Sequence, residues 1–348
     1  MVGLLRTTAL LLATLLVGLA AAWGVMALWY KAPGGPVRKR LSVALWAAFG
    51  LAVIIALWLG RFAFSAAAFA VGFGGLIVWW RRLRASNDRV WADDVAQITH
   101  GTVAGNCVTL ENVRNFAWRT ETDYTQRWET RRYDLERLNS VDMIISYWSR
   151  RSIAHMLVSF GFDDGERVAF SVEVRRERHE GYSEIGGFFK DFELSIIAAD
   201  ERDVVRLRTN VRGEDTYLYR IRMPVTAMRS LFLAYVEEAN TLVEEPRFYQ
   251  TITGNCTTLV YRFMVRICGH LPFDYRVLLS GYMPEYAYRV GGLDPRYSLE
   301  ELRAFGRISE RGRQADQSDA FSAKIREGVP ALGAPDTDVR SSRAPSAD

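Results

Sequence analysis

An α+β fold with a mainly antiparallel sheet, preceded by transmembrane helices, is predicted by three features of this 348-residue chain. Three long apolar runs fill residues 1–84, short β-like runs extend from Thr102 to Val174, and helical periodicity comes only after them. Strands first and helices afterwards segregate the two element types, which is α+β rather than alternating α/β.

The apolar runs are Leu10 to Tyr30, Leu41 to Gly60 and Phe62 to Trp80. Each is close to the ~20 residues that cross a bilayer core, so spans are predicted over about 7–30, 41–60 and 62–80. A removable signal peptide would show one short apolar core and then a polar start, whereas three runs in succession are retained anchors. Trp23, Trp29, Tyr30, Trp79 and Trp80 stand where interfacial aromatics are expected.

The same segment explains the charge. Residues 1–84 hold nine Lys or Arg and no Asp or Glu, leaving 35 of the 44 basic residues against all 40 acidic ones in the remainder. The pI near 9 therefore belongs to the membrane segment, and nothing in it points to nucleic acid. Orientation is contested by the flanking charge. Lys31, Arg38, Lys39, Arg40, Arg81, Arg82 and Arg84 share one side against Arg6 and Arg61 on the other, which by the positive-inside rule places the large C-terminal domain in the cytoplasm.

Residues 85–94 (ASNDRVWADD) form a polar connector, 95–330 a folded domain, and 331–348, rich in Pro, Ser and charge, a tail expected to be disordered. Within the domain, NCVTLENV, RRYDL, VDMIISYW, IAHMLVSFGF and RVAFSVEV read as strands. Val225 to Val243 is an amphipathic helix with Met228, Leu231, Phe232, Tyr235 and Val236 on one face, and a second helix begins at Thr257. From about Arg307 the chain turns polar.

Cys107, Cys256 and Cys268 are an odd number without metal-type spacing, and His100, His155, His179 and His270 are scattered, so no metal site and no cofactor are expected. The runs GNCVTL at 105–110 and GNCTTL at 254–259 look alike, but the residues downstream of each cysteine separate them. Apolar residues after Cys107 fall in a short β-like run, which makes it a structural thiol. Leu259, Phe263 and Ile267 after Cys256 recur at helical spacing. With Thr253 or Asn255 as the cap, Cys256 lies in the first helical turn, where the macrodipole and free N–H groups favour a thiolate. Cys268, further along, looks like packing, and His270 like a helix terminus.

His155 alternates with Ile153, Leu157 and Ser159 on one strand face. The turn at Asp163, Asp164 and Gly165 returns the chain, and pairing Phe162 with Glu166 sets Glu173 opposite His155, ~5 Å away on the same face. A carboxylate there can fix the imidazole tautomer and stabilise the imidazolium, completing a Cys-His-acid relay. Arg175, Arg176 and Arg178 are rival partners for Glu173, and a solvated His–Glu pair on a sheet face is the plainer alternative.

In combination, SIAHMLVSFGF, SVEVRRE, GYSEIGGFFKDFEL, TGNCTT and LLSGYMPEYAY resemble the periplasmic domain of the lipoprotein N-acyltransferases called Lnb, over roughly 87–330. That family is similar to circularly permuted papain-like (NlpC-like) thiol enzymes, in which the His strand precedes the Cys helix. The resemblance implies Cys256 as nucleophile and His155 as base, Glu173 resting mainly on the hairpin register. It also implies a multi-pass protein of the bacterial inner membrane with its catalytic domain in the periplasm, against the positive-inside count; large folded domains often translocate regardless of flanking charge.

On this resemblance the reaction is ping-pong acyl transfer, from a phospholipid donor through a Cys256 thioester to the free N-terminal amine of a diacylated lipoprotein. The Cys256 backbone N–H, with Asn255 or Tyr147, would hold the oxyanion. Tyr182, with Phe188, Phe189 and the GYMPEYAY run, would line an acyl groove, although aromatics so placed also serve as core. A thiol hydrolase acting on peptides, amides or phospholipids, and a catalytically inactive membrane-anchored binding module, remain the alternatives.

Overall fold

Long apolar stretches have no choice but helix inside a bilayer, because only intrasegment hydrogen bonds satisfy the backbone there. The computed structural model, which describes residues 2–332, begins with α1 (Val2–Lys31), α2 (Pro36–Trp58) and α3 (Phe62–Arg82). All three are long and apolar enough to cross a membrane. Gly34, at φ 99°, turns the chain, and Pro36 opens α2 at a position whose N–H has no helical partner. A Cβ at Gly24 would overlap the Trp46 indole, whose Nε1 donates to the Ala21 carbonyl at 3.0 Å.

These helices form one compact unit with two later segments, His179–Glu193 and Arg247–Thr251. Within it the Tyr30 ring stacks on Phe189 with centroids 5.7 Å apart, and its hydroxyl meets Ser183 Oγ at 3.1 Å. Lys190 Nζ donates to the Trp80 carbonyl at 2.8 Å, satisfying one of the orphan acceptors at the end of α3. Tyr182, Phe188 and Phe189 thus belong to the helix unit. Among the described residues, the polar tail is represented only to position 332, and 333–348 lie outside them.

The second unit comprises Val90–Arg178, Leu194–Pro246 and the chain from Ile252 on. Its strands are β1 (His100–Ala104), β2 (Cys107–Arg114), β3 (Ala117–Trp118), β4 (Tyr124–Thr125), β5 (Trp128–Asp134), β6 (Leu138–Tyr147), β7 (His155–Phe162), β8 (Arg167–Arg175), β9 (Glu193–Ala199) and β10 (Asp215–Arg220). Eight of them make one sheet in the order β1-β2-β9-β8-β7-β6-β10, with β5 also on β2; β3 and β4 form a small ribbon. The β2–β9 contact, Arg114 beside Ala199, is parallel, so the sheet is mixed rather than wholly antiparallel.

The five strand runs read from the alternation correspond to β2, β5, β6, β7 and β8, while β9 and β10 carry no comparable signal. β9 is buried at every position, which erases the alternation that betrays a half-exposed strand.

Helices cover both sheet faces. On one, Phe160 and Phe170 pack against Phe232 and Tyr235 of α5 (Val225–Glu244), and Phe263 of α6 (Cys256–Cys268) meets Tyr235 edge-on at 5.2 Å. On the other, Ile144, Leu157, Ala169 and Ile197 pack with Val204 and Val205 of α4 (Glu201–Arg206). That second layer is completed from the C-terminal part. After α7 (Met283–Arg289) and α8 (Leu299–Gly306) come α9 (Ser309–Ala315) and α10 (Phe321–Lys324), and Ile308, Phe321 and Ile325 are fully buried. The polar texture after Arg307 hides this packing, and it includes a paired charge: Arg326 reaches Asp142 at 2.8 Å and Glu201 at 2.5 Å.

Candidate functional site

The site begins with a register. Asp163, Asp164 and Gly165, the last at φ 88°, make a three-residue loop closed by the Phe162 N–H on the Glu166 carbonyl at 3.0 Å. The β7–β8 ladder then runs from Gly161 opposite Arg167 to Leu157 opposite Ser171. Two residues further on each strand stand His155 and Glu173. A one-residue slip would have turned Glu173 to the other face.

His155 Nε2 lies 2.7 Å from Ser171 Oγ and 3.2 Å from Glu173 Oε1. The Ser171 hydroxyl donates to that same carboxylate oxygen at 2.5 Å, so it accepts from the imidazole. Nε2 therefore carries the proton, and Nδ1 is left as the basic nitrogen. Both groups are mostly buried, the imidazole side chain 13% and the carboxylate 20% exposed.

Arg175, Arg176 and Arg178 do not compete for Glu173. Arg175 Nε donates to the Val95 carbonyl, and Arg176 and Arg178 pair with Asp94 and Asp93. The cation that reaches Glu173 is Arg208, at 3.8 Å, which also binds Glu214 at 3.1 Å. Arg208 sits on a single π-helical turn, Leu207–Val211, continuing α4. Glu214 in turn accepts from Ser146 Oγ at 2.5 Å, and Ser146 pairs with His155 across β6 and β7. Ser171 and Arg208 were absent from the sequence-level site. Ser171 carried a signal, standing two residues from Glu173 on one strand face; Arg208 carried none.

This network sets the protonation states. Burial and the nearby Arg208 lower His155 below its ordinary 6.5, against the opposing charge of Glu173. Burial would raise Glu173, but His155, Arg208 and the Ser171 hydroxyl outweigh it and hold the carboxyl far below the usual range. The pair rests as neutral imidazole and carboxylate.

Cys256 is the first residue of α6, and of the two candidate caps Asn255 takes the role. Its side chain accepts from the N–H groups of Thr257 and Thr258 at 3.0 and 2.9 Å, while Thr258 Oγ1 accepts from the Asn255 N–H at 3.1 Å. Such a cap contributes ~1 kcal/mol to the helix start. The Met156 N–H and the Cys256 N–H both point at the sulfur, bringing the thiol to the head of β7, one residue from His155. α6 packs on the face opposite that of His155.

Two expectations change here. Burial pushes the Cys256 thiol up to about 11, beyond what the N–H groups and Arg208 recover, so the resting side chain is a thiol rather than the thiolate expected from the helix start alone. Cys268 is exposed at the end of α6 rather than packed, while Cys107 lies half-buried on β2.

The oxyanion and groove candidates divide as well. Asn255 Oδ1 accepts at the cap, which fixes the amide in place, and its Nδ2 is the group that would have to donate to an oxyanion. Tyr147 donates its hydroxyl to the Gly281 carbonyl at 2.6 Å and is occupied there. Tyr182 is exposed and stacks on Phe192 within the helix unit. In the GYMPEYAY run, Met283 and Tyr286 are buried as core. Among the described residues no group of His, Cys, Asp and Glu side chains is arranged to hold a metal ion.

Residues 124–281, which span His155, Ser171, Glu173, Arg208 and Cys256, match the family described as the Lnb N-terminal periplasmic domain. No curated protein and no solved structure matches the chain.

Proposed function

We propose, on the premise that residues 124–281 belong to the Lnb N-terminal periplasmic domain family, that this protein acts in lipoprotein biogenesis as a membrane-anchored cysteine acyltransferase. The observation that carries the chemistry is the tautomer-fixing relay from His155 through Ser171 to Glu173, set beside the Cys256 thiol at the head of β7. The order of His strand before Cys helix agrees with a circularly permuted papain-like fold, which we include in the proposal.

Because the thiol and imidazole rest neutral, proton transfer accompanies attack. The Cys256 S–H proton passes to His155 Nδ1 as sulfur bonds to an ester carbonyl carbon of a phospholipid. The resulting oxyanion is held by the Cys256 N–H. The C–O bond then breaks, the leaving alkoxide takes the proton from the imidazolium, and lysophospholipid departs from a Cys256 thioester. The N-terminal amine of a diacylated lipoprotein attacks the thioester carbon, gives its proton to His155, and the C–S bond breaks with return of that proton to sulfur. Glu173 stabilises the imidazolium in both halves.

Three apolar helices support a multi-pass anchor, and the family supports a periplasmic catalytic domain at the bacterial inner membrane. Donor and acceptor are both membrane-bound, so tethering raises their effective concentration.

The test is direct. Purified full-length protein is incubated with phospholipid and a diacyl lipopeptide, and products are read by mass spectrometry. One added acyl chain on the peptide with matching lysophospholipid, both lost in Cys256→Ala, is the expected result. Free fatty acid alone would mark a hydrolase, and no turnover with wild-type behaviour in Cys256→Ala would mark a binding module.

A further inference from the structure

We infer that residues 272–279, between α6 and α7, form the surface that holds the hydrocarbon chain of the lipid at the thiol. This rests on the acyl-transfer reading above and assigns its binding surface to a segment outside the relay.

The segment is fastened to both halves of the site. In the first turn of α6, the Thr257 hydroxyl donates to the Val277 carbonyl at 2.7 Å. At its far end Ser280 Oγ accepts from the N–H of Ala154, the residue before His155, at 2.9 Å, and the Gly281 N–H reaches the Ser152 carbonyl at 3.2 Å. A Cβ at Gly281 would strike the Arg151 carbonyl, so this close approach requires glycine. Whatever binds the segment is therefore held near Cys256 and His155.

Its charged groups are paired. Asp274 accepts from the Arg276 N–H at 2.9 Å and pairs with the Arg276 and Arg289 guanidinium groups. The N–H groups of Val277 and Leu278 return to the carbonyls of Asp274 and Tyr275 in a single 3₁₀ turn. No strand edge is offered to a peptide, and no unpaired charge to an anion.

What faces outward is apolar. Phe273 is 65% and Tyr275 58% exposed, with Leu278 and Leu279 also exposed; Val277 alone turns fully inward. Folding gains nothing from this placement, and large exposed apolar side chains on a segment tied to the Cys256 helix and the His155 strand mark a binding surface. A saturated hydrocarbon, without donors or acceptors, is the ligand that such a surface fits.

The experiment reads binding without reaction. Full-length Cys256→Ala protein is placed in phospholipid bilayers carrying a photoactivatable diazirine in the acyl chain, irradiated, digested and mapped by mass spectrometry. Cross-links at 272–279 should exceed those at Val103 and Phe305, exposed apolar residues of the same unit, by about tenfold, and Phe273→Ser with Leu279→Ser should lower them by a similar factor. Tyr275→Ser provides a milder second variant. Labelling no higher than at Val103 and Phe305, or unchanged by these substitutions, overturns the inference, as does competition by a lipopeptide stripped of its acyl chains. Cross-linking at 272–279 without acyl transfer by the wild type would instead sink the proposed reaction and leave the lipid surface standing.

Discussion

His155 Nε2 stands 3.2 Å from Glu173 Oε1, with the Ser171 hydroxyl bridging the same pair. Two nitrogens of one ring thereby receive different tasks. Nε2 is the anchored donor, and Nδ1 is the nitrogen that the proposed reaction uses as its base.

Glu173→Gln should lower kcat by about 10²- to 10⁴-fold, because the amide neither stabilises the imidazolium nor enforces the tautomer. The Glu173 charge raises the His155 pKa, so its removal should also move the acid limb of the pH–rate profile downward. The same carboxylate contributes stability that is present above its ordinary 4.5 and is lost as pH falls into the strongly acid range. Stopped assays from pH 4 to 8 (roughly the span in which imidazole titrates) and thermal melts check both effects. An unchanged limb with unchanged kcat would remove Glu173 from the site.

Arg208→Met should shift the limb the other way, since Arg208 lowers His155. It also leaves Glu214 and Glu173 without their buried cation, at a cost of ~3–5 kcal/mol in stability. Arg208→Lys should recover part of the stability without the second contact. Denaturant titration of the three proteins, with pH profiles, separates structural loss from the electrostatic shift.

Cys256 should alkylate slowly at neutral pH, its rate rising about tenfold per pH unit toward the thiol pKa of about 11. Peptide mass spectrometry after timed iodoacetamide exposure of the folded protein reads this site separately from the exposed Cys268. A rate flat between about pH 6 and 9 would show a thiolate already formed and contradict the neutral resting pair.

Cys268 also makes a topology probe, being exposed on the domain surface. A membrane-impermeant maleimide should label it in intact spheroplasts, and Cys268→Ser should abolish that signal. Labelling only after permeabilisation would place the domain in the cytoplasm, as the flanking Lys and Arg count predicts.

Much of this was legible in the chain itself, and the reasons are local. Apolar length alone marks the three helices. Alternation in IAHMLVSFGF and RVAFSVEV, with the Asp163–Gly165 turn between them, determines the strand faces and the register, whose continuation past Leu157 and Ser171 brings Glu173 to His155. The β9 strand escaped because burial on both faces removes its period, and the docking of α9 and α10 because their few buried residues are scattered among polar ones.

Local pattern was enough to name the residues that could react: a cysteine at a capped helix start, a histidine on a strand, and a carboxylate opposite it. Their electrical state and their company come from the fold. Burial of Cys256 overrides the helix-start effect because desolvating a thiolate costs more than the N–H groups around it return. Arg208 joins Glu173 only through the fold, from a π-helical turn remote in sequence, because a buried carboxylate needs a counter-charge that its own strand does not supply. Thr257 and Ser280, which tie the apolar segment 272–279 to the Cys helix and the His strand, likewise act through contacts that no local pattern encodes.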